Sequence, residues 1–344
     1  MFSFASDNNS GAHAEVMAAL AAANSGHCLS YGGDPFTRRA EELFQDVFGA
    51  KTRVYFVFLG TAANVLALQT GLKAYEAVIC ADTAHIHTDE CGALEALGRK
   101  LYTVPGRHGK IAPADCLPPL RFAGSVHHAP PRMLSITQST ELGGLYRPAE
   151  IRALADFCRA HGLWLHMDGA RLANAAAALG CGLHAASAAL GVDMLSFGGS
   201  KNGLLYGEAV LIFRPELAED FAFYHKRGMQ LASKMRYIAA QFQAYLHNDL
   251  WRRNAQQAND MARLLAESLE GTEGLEITRP VEVNAVFARL PRRAALEAQK
   301  SCPFYIWDET PEETPEARWM TSFDTTPEAV RDFAAKIKNA LRGK

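Results

Sequence analysis

The chain has no CxxC pair, no Lys/Arg run, no long apolar run and no glycine-rich nucleotide loop, and each gap removes a class of function. Its seven cysteines (Cys28, Cys80, Cys91, Cys116, Cys158, Cys181 and Cys302) are odd in number and widely spaced. Buried free thiols in a reducing cytoplasm are therefore expected, rather than disulfides. A formal net charge of −2 with scattered basic residues gives no electrostatic reason to expect nucleic acid or an anionic membrane as partner. No window approaches the roughly 18 apolar residues that a membrane-spanning helix needs. The start, "MFSFASDNNSG", lacks a basic stretch followed by an apolar one, so no secretory signal is expected. Neither GxGxxG nor GxxxxGK[ST] occurs, which takes away the signatures of dinucleotide and P-loop nucleotide binding.

What remains is the composition of an ordinary globular protein, 49% hydrophobic and 21% charged over 344 residues, long enough for two domains. "HAEVMAALAAANSG" reads as a helix ended by Gly26, and "DPFTRRAEELFQDVFG" as another with Pro35 in its first turn and Gly49 at its stop. "RVYFVFLG" is a short run of β-branched and aromatic residues, hence a buried strand, and "TAANVLALQTGLKAY" has helical spacing. Strands are then expected at "EAVICA", "KLYTVPG", "RMLSITQ", "LWLHMD", "DMLSFGG" and "GEAVLIF", with helices at "PAEIRALADFCRAHG" and "ARLANAAAALG". Apolar runs without polar alternation, separated by helices, indicate an α/β fold with a mostly parallel sheet covered on both faces. After about Phe213 the pattern changes. "PELAEDFAFYHKRGMQLASKMRYIAAQFQAYLHNDL" reads as long helices, and the tail from "GLEITRP" to "PEAVRDFAAKIKNAL" as a smaller α+β domain. The expected division is an N-terminal segment (1–25), a large domain (26–246) and a small one (247–344).

In open α/β sheets, ligands sit where strands end, and the unusual residues fall at such places. Gly60 and Thr61 in "FLGTAANVL" stand at a strand-to-helix turn, where free N–H groups and the helix dipole favour an anion such as phosphate, unless Thr61 is an ordinary cap. Asp168 ends an apolar strand three residues before Arg171. A carboxylate there needs a cationic ligand or a partner such as Arg171 to offset its desolvation. "ADTAHIHTDECG" puts His85 and His87 at another strand end, where a helix cap or a surface histidine is the plainer reading. Lys201, in "SFGGSKNGLLYGEAV", is enclosed by Gly198, Gly199, Ser200 and Gly203.

Taken together these residues fit one cofactor, pyridoxal 5′-phosphate. Its aldehyde needs an unprotonated lysine amine, its ring nitrogen an aspartate, its phosphate a helix start, and its flat ring something planar. The sequence resembles the L-threonine aldolase family, the β-eliminating-lyase branch of fold-type-I pyridoxal-phosphate enzymes. The matching stretches are "SDNNSGAH", "YGGDPFTRRAEELF", "GTAAN", "AHIHTDECGA", "LHMDGARLANA", "SFGGSKNGLLYGEA" and "RWMTSFDTT". "DGAR" followed about thirty residues later by the SK lysine is the specific part.

By resemblance, Lys201 forms the imine, Asp168 pairs with the ring nitrogen and His85 stacks on the ring, while Gly60, Thr61 and Ser200 hold the phosphate. Arg171 and Arg318 match two arginines near the substrate carboxylate or the ring, and Ser6 a serine near that carboxylate. His127 aligns with a second active-site histidine. Arg236, or Lys234, matches a basic residue that reaches the phosphate from a neighbouring subunit, so a homodimer or homotetramer with shared sites is implied. Two departures stand out: many relatives read "SKGLG" at the lysine, and His87 replaces what is often an aromatic or apolar residue. The expected reaction is retro-aldol cleavage of a β-hydroxy-α-amino acid such as L-threonine or L-allo-threonine. His85, His87, His127 or a bound water would take the β-hydroxyl proton. β-Elimination or racemisation on the same cofactor, a non-catalytic pyridoxal-phosphate protein, and a metal-dependent hydrolase built on the H-x-H of "HIHTDE" are the competing readings.

Overall fold

A computed structural model describes residues 2–121 and 123–343. Among them, seven strands form one sheet: β1 (Arg53–Val57), β2 (Ala77–Ala81), β3 (Lys100–Val104), β4 (Pro131–Thr137), β5 (Trp164–Gly169), β6 (Met194–Phe197) and β7 (Glu208–Ile212). Every strand expected from an apolar run is present, in the spatial order β1-β7-β6-β5-β4-β2-β3. β7 runs antiparallel to β1 and β6, and the pairs from β6 through β5, β4 and β2 to β3 are parallel. The sheet is mostly parallel, as expected.

Neighbouring residues of each strand enter different cores. Ile79, Leu134, Leu165 and Leu195 pack with Phe44 and Phe242 on one face; Val78, Met133, Met194 and Val210 pack with Leu66 and Phe221 on the other. Burial on both faces is why these strands read as unbroken apolar runs. The helix Pro35–Phe48 begins where the Asp34 side chain accepts the Thr37 N–H at 2.7 Å and stops at Gly49, whose φ of 110° suits glycine.

Three helix boundaries depart from the sequence reading. The first helix ends at Ala23, ahead of Gly26, and the one after β1 runs only over Gly60–Thr70. The stretch after β7 holds no long helix until Arg236. It has a turn at Pro215–Leu217, a seven-residue helix Phe221–Arg227, and then irregular chain. Tertiary packing explains this. A Cβ on Gly228 would come within 2.7 Å of Leu66, Met229 takes φ 61°, and the Gln230 side chain accepts the Phe58 N–H.

The long helix is Leu250–Leu269. Its Leu250, Trp251 and Ala255 pack into the large core, while Met261, Ala262, Leu265 and Leu269 pack into a second core beneath a four-stranded antiparallel sheet. That sheet comprises β8 (Glu276–Ile277), β9 (Ala285–Arg289), β10 (Tyr305–Asp308) and β11 (Glu316–Met320). The N-terminal segment is sewn onto it. Phe4 donates its N–H to Pro303 O and accepts that of Met320, and its ring stacks on Phe333. This anchoring carries Ser6 and Asp7 to the edge of the large sheet.

Candidate active site

The strand register gathers the residues at one edge. Val57 pairs with Glu208, Phe197 with Ala209, Ser196 with Asp168, and Asp168 with Thr137. The carboxyl ends of β1, β4, β5 and β6 and the start of β7 therefore open onto the same space. A cavity of about 380 Å³ lies there, lined by Gly60, Thr61, Asn64, His85, Asp168, Ser200 and Lys201 among others. A second chamber, also about 380 Å³, is lined by Ser6, Glu141, Arg171, Trp307 and Arg318. Asn8, His85 and Lys201 line both, so the two chambers meet at the lysine.

Lys201 sits in a single helical turn, Ser200–Asn202, closed by Gly203 at φ 105°. Its glycines are required. A Cβ on Gly198 would stand 2.2 Å from the carbonyl oxygen of Ala170, so this loop presses against the loop that follows Asp168. Glu208 accepts the Gly199 N–H at 2.6 Å and fixes the loop from the other side. Burial pushes the Glu208 carboxyl up to about 7, against its hydrogen bonds from Ser200 and Gly199.

The helix Gly60–Thr70 starts without a side-chain cap; Leu59, not Thr61, is the residue at its cap position. Its first N–H groups are left for an anion at the cavity wall. One turn further in, Asn64 uses a single amide nitrogen to donate to Glu90 Oε1 and to Asp168 Oδ2, both at 2.8 Å. Asp168 Oδ1 accepts the Ala170 N–H at 3.0 Å. Glu90 Oε1 also lies 2.8 Å from His85 Nδ1. The hydrogen bond to Glu90 raises the His85 imidazole, and burial raises the Glu90 carboxyl. Two oxygens of this network, Asn64 Oδ1 and Glu90 Oε2, are buried without a partner. His85, Glu90 and Asp168 are close enough to hold a metal ion, but they belong to this bridged network, and His87, the second histidine of the H-x-H reading, is exposed and lines neither chamber.

The two arginines of the outer chamber differ. Arg171 does not pair with Asp168. Its Nε and Nη2 grip both oxygens of Asp7 at 2.7 and 2.9 Å, and its Nη1 lies 3.9 Å from Glu141. Burial alone would raise the Asp7 carboxyl, but the charge and hydrogen bonds of Arg171 outweigh it and hold it below the ordinary carboxylate value. Arg318 lies over the rings of Trp307 and Tyr305, at 4.4 and 5.9 Å. Among the described residues its one hydrogen bond is a long contact to Ala5 O, and its Nε is buried without a partner. Burial and the neighbouring Arg171 both press its guanidinium toward the uncharged form.

Gly60, Thr61, His85, Asp168, Ser200 and Lys201 thus share the inner cavity, and Ser6, Arg171 and Arg318 the outer one. His127 is not brought to them within this chain. It stands on an exposed turn ahead of β4, at the strand's amino end, whereas the cavity lies at the carboxyl ends. Arg236 also lies outside both chambers, bonded to Gly26 O and the Tyr237 hydroxyl, and Lys234 is exposed. The sequence reading overlooked Asn64, Glu90 and Asp7 as members of the site. Asn64 was within reach, because three residues after Thr61 on a helix places it on the same side; the signals for Glu90 and Asp7 are their burial, at 5% and 1% exposure, which sequence does not show.

The model of the β-eliminating lyase family matches residues 3–292. The chain belongs to the β-eliminating lyase family. As a member it is a lyase working with pyridoxal 5′-phosphate. It is 45% identical over 337 residues, 97% of this chain and 96% of the relative, to the low specificity L-threonine aldolase of Pseudomonas aeruginosa. The corresponding enzyme of a Pseudomonas species is 44% identical over 342 residues, 98% and 97% of the two chains. Among solved structures, a threonine aldolase of Leishmania major matches with a TM-score of 0.94 at 29% identity, covering 99% of this chain and 100% of that one. The lyase family and the shared fold agree with the resemblance drawn from the motifs.

Proposed function

We propose that this lyase cleaves β-hydroxy-α-amino acids, L-threonine and L-allo-threonine among them, to glycine and an aldehyde, using pyridoxal 5′-phosphate held in the inner cavity. One observation carries the reading: an amine, a buried acid, an imidazole and an uncapped helix start line a single cavity that opens into a chamber whose Arg318 has no carboxylate in ion-pair range among the described residues. The residues fit the group. Asp168 suits a protonated ring nitrogen, the N–H groups at Gly60 and Thr61 suit a phosphate, with Ser200, whose hydroxyl Glu208 already engages, at the same cavity wall, and Lys201 supplies the amine that carries the cofactor. When bound, the cofactor offers a sink for the electron pair released as the Cα–Cβ bond breaks.

The chain's own residues do the rest. Asn64 and Ala170 hold the two oxygens of Asp168 and so fix the carboxyl that would pair with the ring nitrogen. Arg318 takes the substrate carboxylate with its free fork, and Ser6 lies beside it. Arg171, committed to Asp7, sets the N-terminal segment as one wall of the outer chamber. His85, which lines both chambers, or a bound water accepts the β-hydroxyl proton.

Oligomerisation and the cytoplasm complete the reading. Leu59, at 60% exposure, lines the cavity mouth, and Leu205 and Met229 are also exposed. Exposed apolar residues of this kind support a homodimer or homotetramer in which Arg236 or Lys234 of one copy reaches the site of another. All seven cysteines are free, four of them buried, which supports a reducing compartment. Among the described residues, no helix is long and apolar enough to cross a membrane.

Borohydride reduction followed by peptide mapping tests the assignment: label on Lys201, with the Lys201→Ala variant colourless and inactive on threonine, is expected. A Lys201→Ala variant with near-native cleavage overturns it. Serine, alanine and threonine supplied separately distinguish cleavage from elimination and racemisation.

A further inference from the structure

We propose that Glu90 is a positioning residue of this site: it accepts the Nδ1–H of His85, so that the lone pair of Nε2 is presented to the substrate, and it ties the imidazole to Asp168 through Asn64. The inference rests on the reading above for the identity of the substrate, but its geometry stands alone. Glu90 has a side chain with no exposure, and its Oε1 lies 2.8 Å from His85 Nδ1. The bond to Glu90 favours the proton on the imidazole, and an ionised Glu90 has none to give, so the imidazole is the donor at Nδ1. Nε2 is then the nitrogen left toward the chambers that His85 lines.

Burying Glu90 with one oxygen unpartnered is costly, and packing alone gives no reason for an acid here. The same Oε1 receives Asn64 Nδ2, whose other bond goes to Asp168 Oδ2. The amide therefore ties together two carboxylates, Glu90 behind the imidazole and Asp168 at the wall of the inner cavity, where it would meet the ring nitrogen of a bound cofactor. Other groups also face His85. Asp168 and Glu141 raise its affinity for a proton, and Asp89, Lys201 and Arg171 line the same chamber. Among the contributions to that rise, the bond to Glu90 is the largest.

The test uses the full-length protein. The rate at which diethylpyrocarbonate modifies His85, read by peptide mass spectrometry against pH before any cofactor is added, reports the imidazole midpoint. In the wild type this midpoint is expected above the ordinary histidine value of ~6.5. Glu90→Gln should lower it by about one pH unit, and Glu90→Asp, which keeps the charge, should return at least half of that shift. In the loaded enzyme, the acid limb of kcat/KM for threonine cleavage should move down by the same amount in Glu90→Gln. A wild-type midpoint at or below ~6.5, or Gln and Asp variants that titrate alike, overturns the proposal; so does a shifted midpoint with an unmoved acid limb. The modification step requires neither cofactor nor substrate, so its failure is separable from a failure of the Lys201 assignment.

Discussion

Replacing Arg318 by Gln tests which arginine receives the substrate. Arg318 has no carboxylate in ion-pair range among the described residues, and its Nε is buried without a partner. Two charge-assisted hydrogen bonds from a guanidinium fork to a carboxylate contribute ~1.5–3 kcal/mol each. Losing both removes ~3–6 kcal/mol, or roughly 10²–10⁴-fold in kcat/KM at about 1.4 kcal/mol per decade. Stability should change little or improve, since Arg318 is a partly buried cation beside another cation, Arg171. Arg171→Gln should behave in the opposite way. It strips Asp7 of its bidentate partner and leaves a carboxylate at 1% exposure whose remaining side-chain donor, among the described residues, is Asn284, at a cost of ~3–5 kcal/mol of stability. Steady-state kinetics on threonine and urea unfolding read both effects. If Arg318→Gln keeps kcat/KM within threefold of wild type while a folded Arg171→Gln loses it, the assignment of the two arginines is wrong.

Three more outcomes follow from the same geometry. Asp168→Asn should lose most threonine cleavage with an unchanged far-ultraviolet spectrum, and an active variant would give the ring nitrogen another partner. His166 is buried between the hydroxyls of Ser135 and Ser196, and burial pushes its imidazole down to about 4. The unfolded chain therefore binds the extra proton first, so His166 contributes stability that is present above ~6.5 and lost as pH falls toward about 4. Unfolding at pH 7.5 and 5 should show about 2 kcal/mol of this loss in wild type and not in His166→Asn; equal losses would refute it. Leu59→Glu, at the exposed cavity rim, should shift light scattering toward monomers and weaken cofactor binding, and an unchanged assembly would remove Leu59 from the interface.

Much of the large domain was legible because burial on both faces leaves a one-dimensional trace. Runs such as "EAVICA" and "DMLSFGG" have no polar alternation, and each became a strand of the mostly parallel sheet. The stretch from Pro215 to Lys234 misled for the converse reason. Its apolar spacing suits a helix, yet contacts to Leu66 and Phe58, far away in sequence, break it. Strands β10 and β11 gave weaker signals, because β10 is half exposed and Glu316 and Arg318 interrupt the apolar run of β11.

Residue chemistry that is rare at a strand end, an amine among glycines or an acid after an apolar run, was determined by the sequence itself, because such a residue has few stable alternatives there. Partner choice was decided by tertiary structure. Arg171 stands three residues from Asp168 but is held by Asp7, 164 positions away. The chain's folding also joined Glu90 to Asp168 through Asn64 and left His127 on the far side of β4. Hydrogen bonds depend on distances of about 3 Å, and only the folded chain fixes those between residues distant in sequence.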